Sequence, residues 1–263
     1  MACSMREDKI FLLDSDSGHA QTSGCSKWGE GLGGTVTVEL SLFPVWHQEG
    51  GIMVWVKICG ITSKEDGVAA LEFGADALGF NFYPRSPRYL DLCTARALVS
   101  NLPPFGLRVG VFVDPSFETV MEIAKAVRLD TIQLHGKEAP EFSEDLRNEG
   151  LRVWKGVRVS GLKALKNIED YPCDALVLDA FDASAHGGTG KSFDWNLLSE
   201  WQPPLPWLLS GGLTPETVSE AVLRFSPHGV DVASGVESAP GIKDHELMRT
   251  FIQRAKHELL PVH

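Results

Sequence analysis

Eight short apolar runs, at residues 54–59, 77–82, 107–113, 131–134, 152–157, 175–179, 207–210 and 229–233, alternate with amphipathic stretches long enough for helices. Runs of this kind, apolar on both faces, suit strands of a parallel sheet, and a parallel sheet needs a crossover between each strand and the next. Eight such units predict an α/β fold of the (β/α)8 TIM-barrel type, near the small end of its size range. An open doubly wound sheet is the competing architecture, but it places its glycine-rich phosphate turn after the first strand. Here the glycine-rich turns come late. Helix starts are expected at Ser63 with Asp66 three residues on, at Asp114 before Pro115, and at Thr214 before Pro215, with a last helix over 244–259.

The barrel domain is expected to span 53–263. Residues 1–52 differ in character, being rich in Gly, Ser and acidic side chains, and read as a poorly ordered extension or a start misassigned upstream of Met53. They lack the arginine-rich bias of an organelle transit peptide. No apolar run approaches the roughly 18 to 20 residues of a membrane helix, so a soluble, cytoplasmic protein without a membrane partner is expected. A balance of 24 basic against 35 acidic side chains, with a net charge of −11, argues against a nonspecific nucleic-acid surface but leaves room for a local basic pocket, so an anionic ligand has to be held locally. Cys3, Cys25, Cys59, Cys93 and Cys173 are odd in number and contain no CxxC pair. That spacing offers neither a disulfide framework nor a zinc site and fits a reducing compartment. Cys93 and Cys173 read as packing residues.

In Val56-Lys57-Ile58-Cys59-Gly60-Ile61-Thr62 a cysteine ends the first strand, just before a glycine turn. Catalytic groups of such barrels sit at the C-terminal strand ends. Strand alternation puts Trp55, Lys57 and Cys59 on one face and Val54, Val56 and Ile58 on the other, so Cys59 points into the barrel mouth. On the sixth strand the same logic turns Asp179 inward. A thiol facing a carboxyl across a small pocket can act as base and acid on one substrate, and Lys57, on the same face as Cys59, can favour the thiolate. Plainer readings stand beside these. A buried cysteine is also a small core hydrophobe, and Asp179 can cap a turn. Asp231, inside the eighth strand, needs a partner, for which Lys57 is placed, and this pair is structural or catalytic. His135, ending the fourth strand, lines the pocket or bonds to backbone.

Two late turns, Ser210-Gly211-Gly212-Leu213 and Ser234-Gly235-Val236-Glu237, follow strands seven and eight, where barrels hold phosphate. Glycines let backbone N–H groups approach an anion closely without a lysine. The third cluster, His186-Gly187-Gly188-Thr189-Gly190-Lys191, lacks the spacing of a nucleotide-binding P-loop. Gly188 and Gly190 are read instead as part of a loop that folds over a sugar phosphate, the alternative being a plain connection. Arg85 and Arg88, in a proline-stiffened loop after the second strand, are either carboxylate-binding forks or solvated surface arginines.

These motifs, with residues 74–80, 109–113, 133–136, 187–195 and 231–244, together resemble the phosphoribosylanthranilate isomerase family of tryptophan biosynthesis over residues 54–256. The resemblance implies a (β/α)8 barrel that carries out an Amadori rearrangement of N-(5'-phosphoribosyl)anthranilate with no cofactor and no metal. By position it implies Cys59 as general base, Asp179 as general acid, Arg88 at the substrate carboxylate and the glycine turns (Gly188, Gly190, Gly211, Gly212, Ser234, Gly235) at the phosphate. Lys57, His135 and Asp231 would line or support the pocket. The partner expected is the small-molecule substrate, in a monomer or homodimer. A histidine-pathway aminoaldose isomerase is the alternative, but would call for a carboxylate in place of Cys59. A noncatalytic sugar-phosphate barrel would keep the glycine turns and have no use for the thiol.

Overall fold

In the computed structural model, residues 54–159, 168, 170–179 and 203–257 are described. The N-terminal extension and the Gly188/Gly190 loop lie outside them. Eight parallel strands close on themselves in chain order: β1 (Trp55–Cys59), β2 (Ala77–Asn81), β3 (Leu107–Phe112), β4 (Thr131–Leu134), β5 (Arg152–Arg158), β6 (Ala175–Asp179), β7 (Trp207–Ser210) and β8 (Gly229–Val232). The described helices are α1 (Lys64–Glu72), α2 (Leu92–Ser100), α3 (Phe117–Val127), α4 (Pro140–Asn148), α5 (Val218–Phe225) and α6 (His245–His257). A closed barrel removes the open-sheet alternative. Closure comes from β8 pairing back onto β1, with Lys57 opposite Asp231 and Ile58 opposite Val232.

The two faces of each strand separate as alternation requires. Val56, Ile58, Leu78, Phe80, Leu176 and Leu178 point outward into the layer shared with the helices, against residues such as Val120, Leu146, Val222 and Phe251. Ala77, Val109, Trp154, Ala175, Val177 and Leu208 fill the barrel interior beneath the mouth. Small and large residues thus share the inner layer, with Trp154 occupying space that Ala77 and Ala175 leave. No described helix is long and apolar enough to cross a membrane.

Helix starts follow capping chemistry, with two corrections. Ser63 caps α1, its hydroxyl accepting from Asp66 N at 3.1 Å. Asp114 does not cap α3: that role belongs to Ser116, which accepts from Thr119 N. Pro115 bars the residue before it from the helical region, and Asp114 instead takes φ 47° and accepts from Lys137 N at 2.7 Å. Thr214 does open a turn, its hydroxyl accepting from Glu216 N, but regular helix begins only at Val218. The last helix starts at His245, one residue after Asp244, whose carboxylate accepts from Glu246 N and Leu247 N. Cys93 is exposed on α2 rather than part of the core, contrary to expectation, whereas Cys173 is buried and burial pushes its thiol up to about 12.

Between β8 and α6 the chain makes a 3-10 turn (Ser234–Val236) and a short antiparallel hairpin, β9 (Glu237–Ala239) with β10 (Ile242–Lys243). This hairpin returns one lysine, Lys243, to the seam between β1 and β8. Its Nζ donates to the carbonyls of Cys59 and Ala233, at 2.6 and 3.0 Å, and to Glu237 Oε1 at 2.8 Å.

Candidate active site

The C-terminal strand ends surround a cavity of about 740 Å³. Cys59 from β1 and Asp179 from β6 both line it, as do the two glycine turns through Gly211, Gly212, Ser234 and Gly235. Gly235 has to be glycine, because a Cβ there would sit 1.8 Å from the Leu213 carbonyl oxygen. The two turns are therefore in backbone contact and form one concave surface. Gly211 and Gly212, at φ 92° and 63°, use the left-handed region open to glycine, which gives the β7 turn its tight exit. Backbone N–H groups on such a surface suit a phosphate.

Lys57 lies under the cavity floor, fully buried. Its Nζ donates to Asp231 Oδ1 at 2.8 Å, and the Cys59 sulfur is close enough to act on it electrostatically. Burial alone pulls the ammonium down, but Asp231 and the sulfur more than offset this, so its pKa lies above the ordinary lysine value. A permanent cation therefore stands beside the thiol. Asp231 is held from its other oxygen by Ser210 Oγ at 3.3 Å. Across the ladder, Gly79 of β2 leaves the space that the sulfur and the ammonium occupy: a Cβ there would be 2.8 Å from Cys59 Sγ and 3.1 Å from Lys57 Nζ.

His135 also lines the cavity, packed over Gly156, whose absent side chain leaves room for the ring. Burial pushes the imidazole down, against the pull of the Asp179 and Asp231 carboxylates, so the ring is neutral at pH 7. Its Nδ1 sits 3.2 Å from Gln133 Nε2. With the amide donating, Nδ1 is the acceptor and Nε2 carries the proton.

Arg88 reaches the cavity by crossing Gly60, where a Cβ would strike its Cδ at 2.2 Å. It does not present an empty fork. Nε and Nη2 donate to the two carboxylate oxygens of Glu237 at 2.7 and 2.5 Å, which leaves the Nη1 side for a ligand. The hydrogen bonds that Arg88 donates to Glu237 raise the guanidinium above its ordinary value. Burial works against ionisation of Glu237, yet Arg88 and Lys243 together hold its carboxyl below the usual range. Arg85 is exposed and does not line the cavity.

Sequence reasoning missed Glu237 and Lys243 as a pair of anchors, because Glu237 was absorbed into a phosphate turn and its partner Arg88 lies 149 residues away. It also missed Arg158, the last residue of β5, which lines the cavity opposite Asp179 in the ladder. Here a signal existed: extending the fifth strand by one residue puts Arg158 in phase with Trp154 and Gly156. A buried Lys155–Glu138 pair at 2.5 Å was likewise unseen, and it fixes the turn after His135 by donating to Gly136 O. Among the described residues no group of His, Cys, Asp or Glu is arranged to hold a metal ion.

A thiol with an adjacent cation, a carboxyl on the far wall and glycine turns between them form an arrangement able to move protons on a sugar phosphate. Comparison with known proteins bears on which one. The sequence model of the family described as N-(5'phosphoribosyl)anthranilate (PRA) isomerase matches residues 56–254. The N-(5'-phosphoribosyl)anthranilate isomerase of Trichlorobacter lovleyi is 46% identical over 208 residues, covering 79% of this chain and 100% of its own. A solved phosphoribosyl anthranilate isomerase, in complex with reduced 1-(o-carboxyphenylamino)-1-deoxyribulose 5-phosphate, is similar at 41% identity and TM-score 0.70, covering 77% and 98% of the two chains. A structure of monomers generated from the dimeric enzyme of Thermotoga maritima matches at 39% identity and TM-score 0.67, with the same coverage.

Proposed function

The chain belongs to the N-(5'-phosphoribosyl)anthranilate isomerase family, and on that premise we propose that Cys59 is the base and Asp179 the acid of its reaction. The protein converts N-(5'-phosphoribosyl)anthranilate to 1-(2-carboxyphenylamino)-1-deoxy-D-ribulose 5-phosphate in tryptophan biosynthesis. Asp179 protonates the furanose ring oxygen, and the C1–O bond opens to a cationic imine. That charge acidifies the C2 hydrogen, which Cys59 removes as the thiolate. The enolamine then tautomerises to the ketone. Two proton-transfer groups suffice because both ends of the substrate are held, the phosphate by the β7 and β8 turns and the anthranilate carboxylate by the free side of Arg88.

The observation that carries this reading is the placement of Cys59 and Asp179 on one cavity, on the two strands that flank the glycine turns. Lys57 supports it by setting a buried cation against the sulfur. Residues 53–263 form the isomerase domain, with residues 1–52 an extension dispensable for turnover. The enzyme works in the cytoplasm as a monomer or a homodimer.

Loss of fluorescence of enzymatically generated phosphoribosylanthranilate tests the assignment. Cys59→Ala and Asp179→Asn are each expected to lower kcat by about 10²–10⁴-fold, while a chain starting at Met53 turns over like the full one. Near-normal turnover in both single variants would show the assignment of base and acid to be wrong.

A further inference from the structure

The barrel order gives the mouth two ends. β7 and β8 carry the glycine turns; on either side of them come β6 with Asp179 and β1 with Cys59; next come β5 and β2; and β3 with β4 form the opposite wall. That wall presents Val111 and Val113 beside His135. A phosphate seated at β7 and β8, with the sugar between Cys59 and Asp179, directs the aromatic ring of the substrate toward the β3 and β4 wall. Two arginines flank that wall, Arg88 from the β2 side and Arg158 from the β5 side.

They are not equivalent. Arg88 is charge-neutralised by the bidentate Glu237 pair. Lys57, Lys155 and Lys243, the cations buried nearby, are each committed to a carboxylate within 2.8 Å. Arg158 is the one exposed position of β5, and its side chain makes no hydrogen bond or ion pair with another described residue. Its inward direction follows from alternation with Trp154, which fills the interior, and Gly156, which faces His135. It is therefore a cation whose side-chain donors no described residue engages, on the wall of a cavity that receives a dianionic or trianionic molecule.

We propose that Arg158 is a specificity-determining residue that pairs with the carboxylate of the substrate's aromatic ring from the β5 side, sharing that group with the Nη1 side of Arg88. The proposal rests on the family reaction given above. A carboxylate held from two sides has its ring plane fixed, and an analogue without the carboxylate leaves Arg158 solvated. Selectivity for an ortho-carboxylated aryl amine then comes from a residue with no structural duty, since nothing in the described fold depends on its side chain.

Titration calorimetry with two probes tests this: reduced 1-(o-carboxyphenylamino)-1-deoxyribulose 5-phosphate and its phenylamino counterpart lacking the carboxylate. Arg158→Met is expected to weaken the first about tenfold to hundredfold, the worth of a hydrogen-bonded charge pair, and to change the second less than about threefold. Arg158→Lys, which keeps the charge but loses the planar fork, should fall between. Melting temperature should stay at the wild-type value. Equal weakening of both probes, or no weakening of either, overturns the proposal, as does a matching loss in competition by inorganic phosphate, which would place Arg158 at the other end. If the wild-type protein binds neither probe, the family reaction itself fails and the proposal falls with it. Wild-type binding of both with an indifferent Arg158→Met sinks only the role of Arg158.

Discussion

A single methyl group at Gly79 should disable the enzyme while leaving it folded. The Cβ of Gly79→Ala would lie 2.8 Å from Cys59 Sγ, 3.0 Å from Cys59 Cα and 3.1 Å from Lys57 Nζ. Comfortable separations are about 3.5–4.0 Å, so the sulfur has to retreat by about 0.7 Å. Because Cys59 Cα is also too close, rotation of the thiol alone does not relieve the clash and β1 shifts as well. Overpacking of this kind costs about 1–3 kcal/mol. At about 2–4 °C per kcal/mol for a domain of this size, Tm falls by about 2–12 °C. A displacement approaching 1 Å at a reacting group costs up to about 10²-fold in rate, so kcat is expected to fall about tenfold to hundredfold while KM stays close to wild type, because the glycine turns and the arginines keep their positions. Gly110→Ala is the control. Its Cβ would strike Leu129 Cδ1 at 2.4 Å, in the outer layer, so it destabilises the barrel without touching the sulfur. Measuring kcat by the fluorescence assay and Tm by circular dichroism on both variants separates the effects. An unchanged kcat in Gly79→Ala would refute the claim that the Cys59 position limits turnover.

Lys57→Met strands Asp231, which is 5% exposed, as a buried charge and should cost about 3–5 kcal/mol. Lys57→Met/Asp231→Leu removes both charges and should recover most of that stability in urea melts while remaining poorly active; a double variant as unstable as the single would contradict the pairing. Glu237 supplies a pH dependence whose sign is set by its depressed folded-state pKa. Its contribution is complete above the ordinary carboxylate value of 4.5 and is lost as pH falls through the lower folded value. Glu237→Gln, less stable than wild type near neutrality, should therefore lose stability less steeply below about pH 4.5, and parallel curves in urea denaturation against pH would argue otherwise.

Local pattern made the barrel readable. In β1, β4, β6 and β8 an outward Val, Ile or Leu alternates with an inward residue, and a period of two says which of Ile58 and Cys59 faces the mouth. The inward phase of Asp179 follows the same way, and so would that of Arg158 had the fifth strand been carried one residue further. The Lys57–Asp231 pair was also legible, because β8 must return to β1 for an eight-stranded barrel to close and the two residues then meet in register. Glu237 with Arg88 was not. Neither residue carries a local sign of the other, and their meeting depends on how a three-residue 3-10 turn and a short hairpin aim one carboxylate. Asp114 misled for a different reason: an aspartate before proline fits both a cap and a left-handed turn residue, and only Ser116 two positions on decides between them.

The Lys243 clamp has a consequence for how the protein is made. The chain leaves the ribosome N-terminus first, so Cys59 is synthesised 184 residues before the lysine that ties down its carbonyl, and Lys57 precedes its counter-ion by 174. Until β8 and the hairpin emerge, the nascent chain holds a buried-type ammonium with no anion and a sheet with two open edges. Both need segments made last: β8 to pair with β1 and the hairpin to return Lys243. A stalled or truncated product ending before β8 thus carries Cys59 and Asp179 on a sheet that cannot close, and it exposes the strand edge that the finished barrel hides.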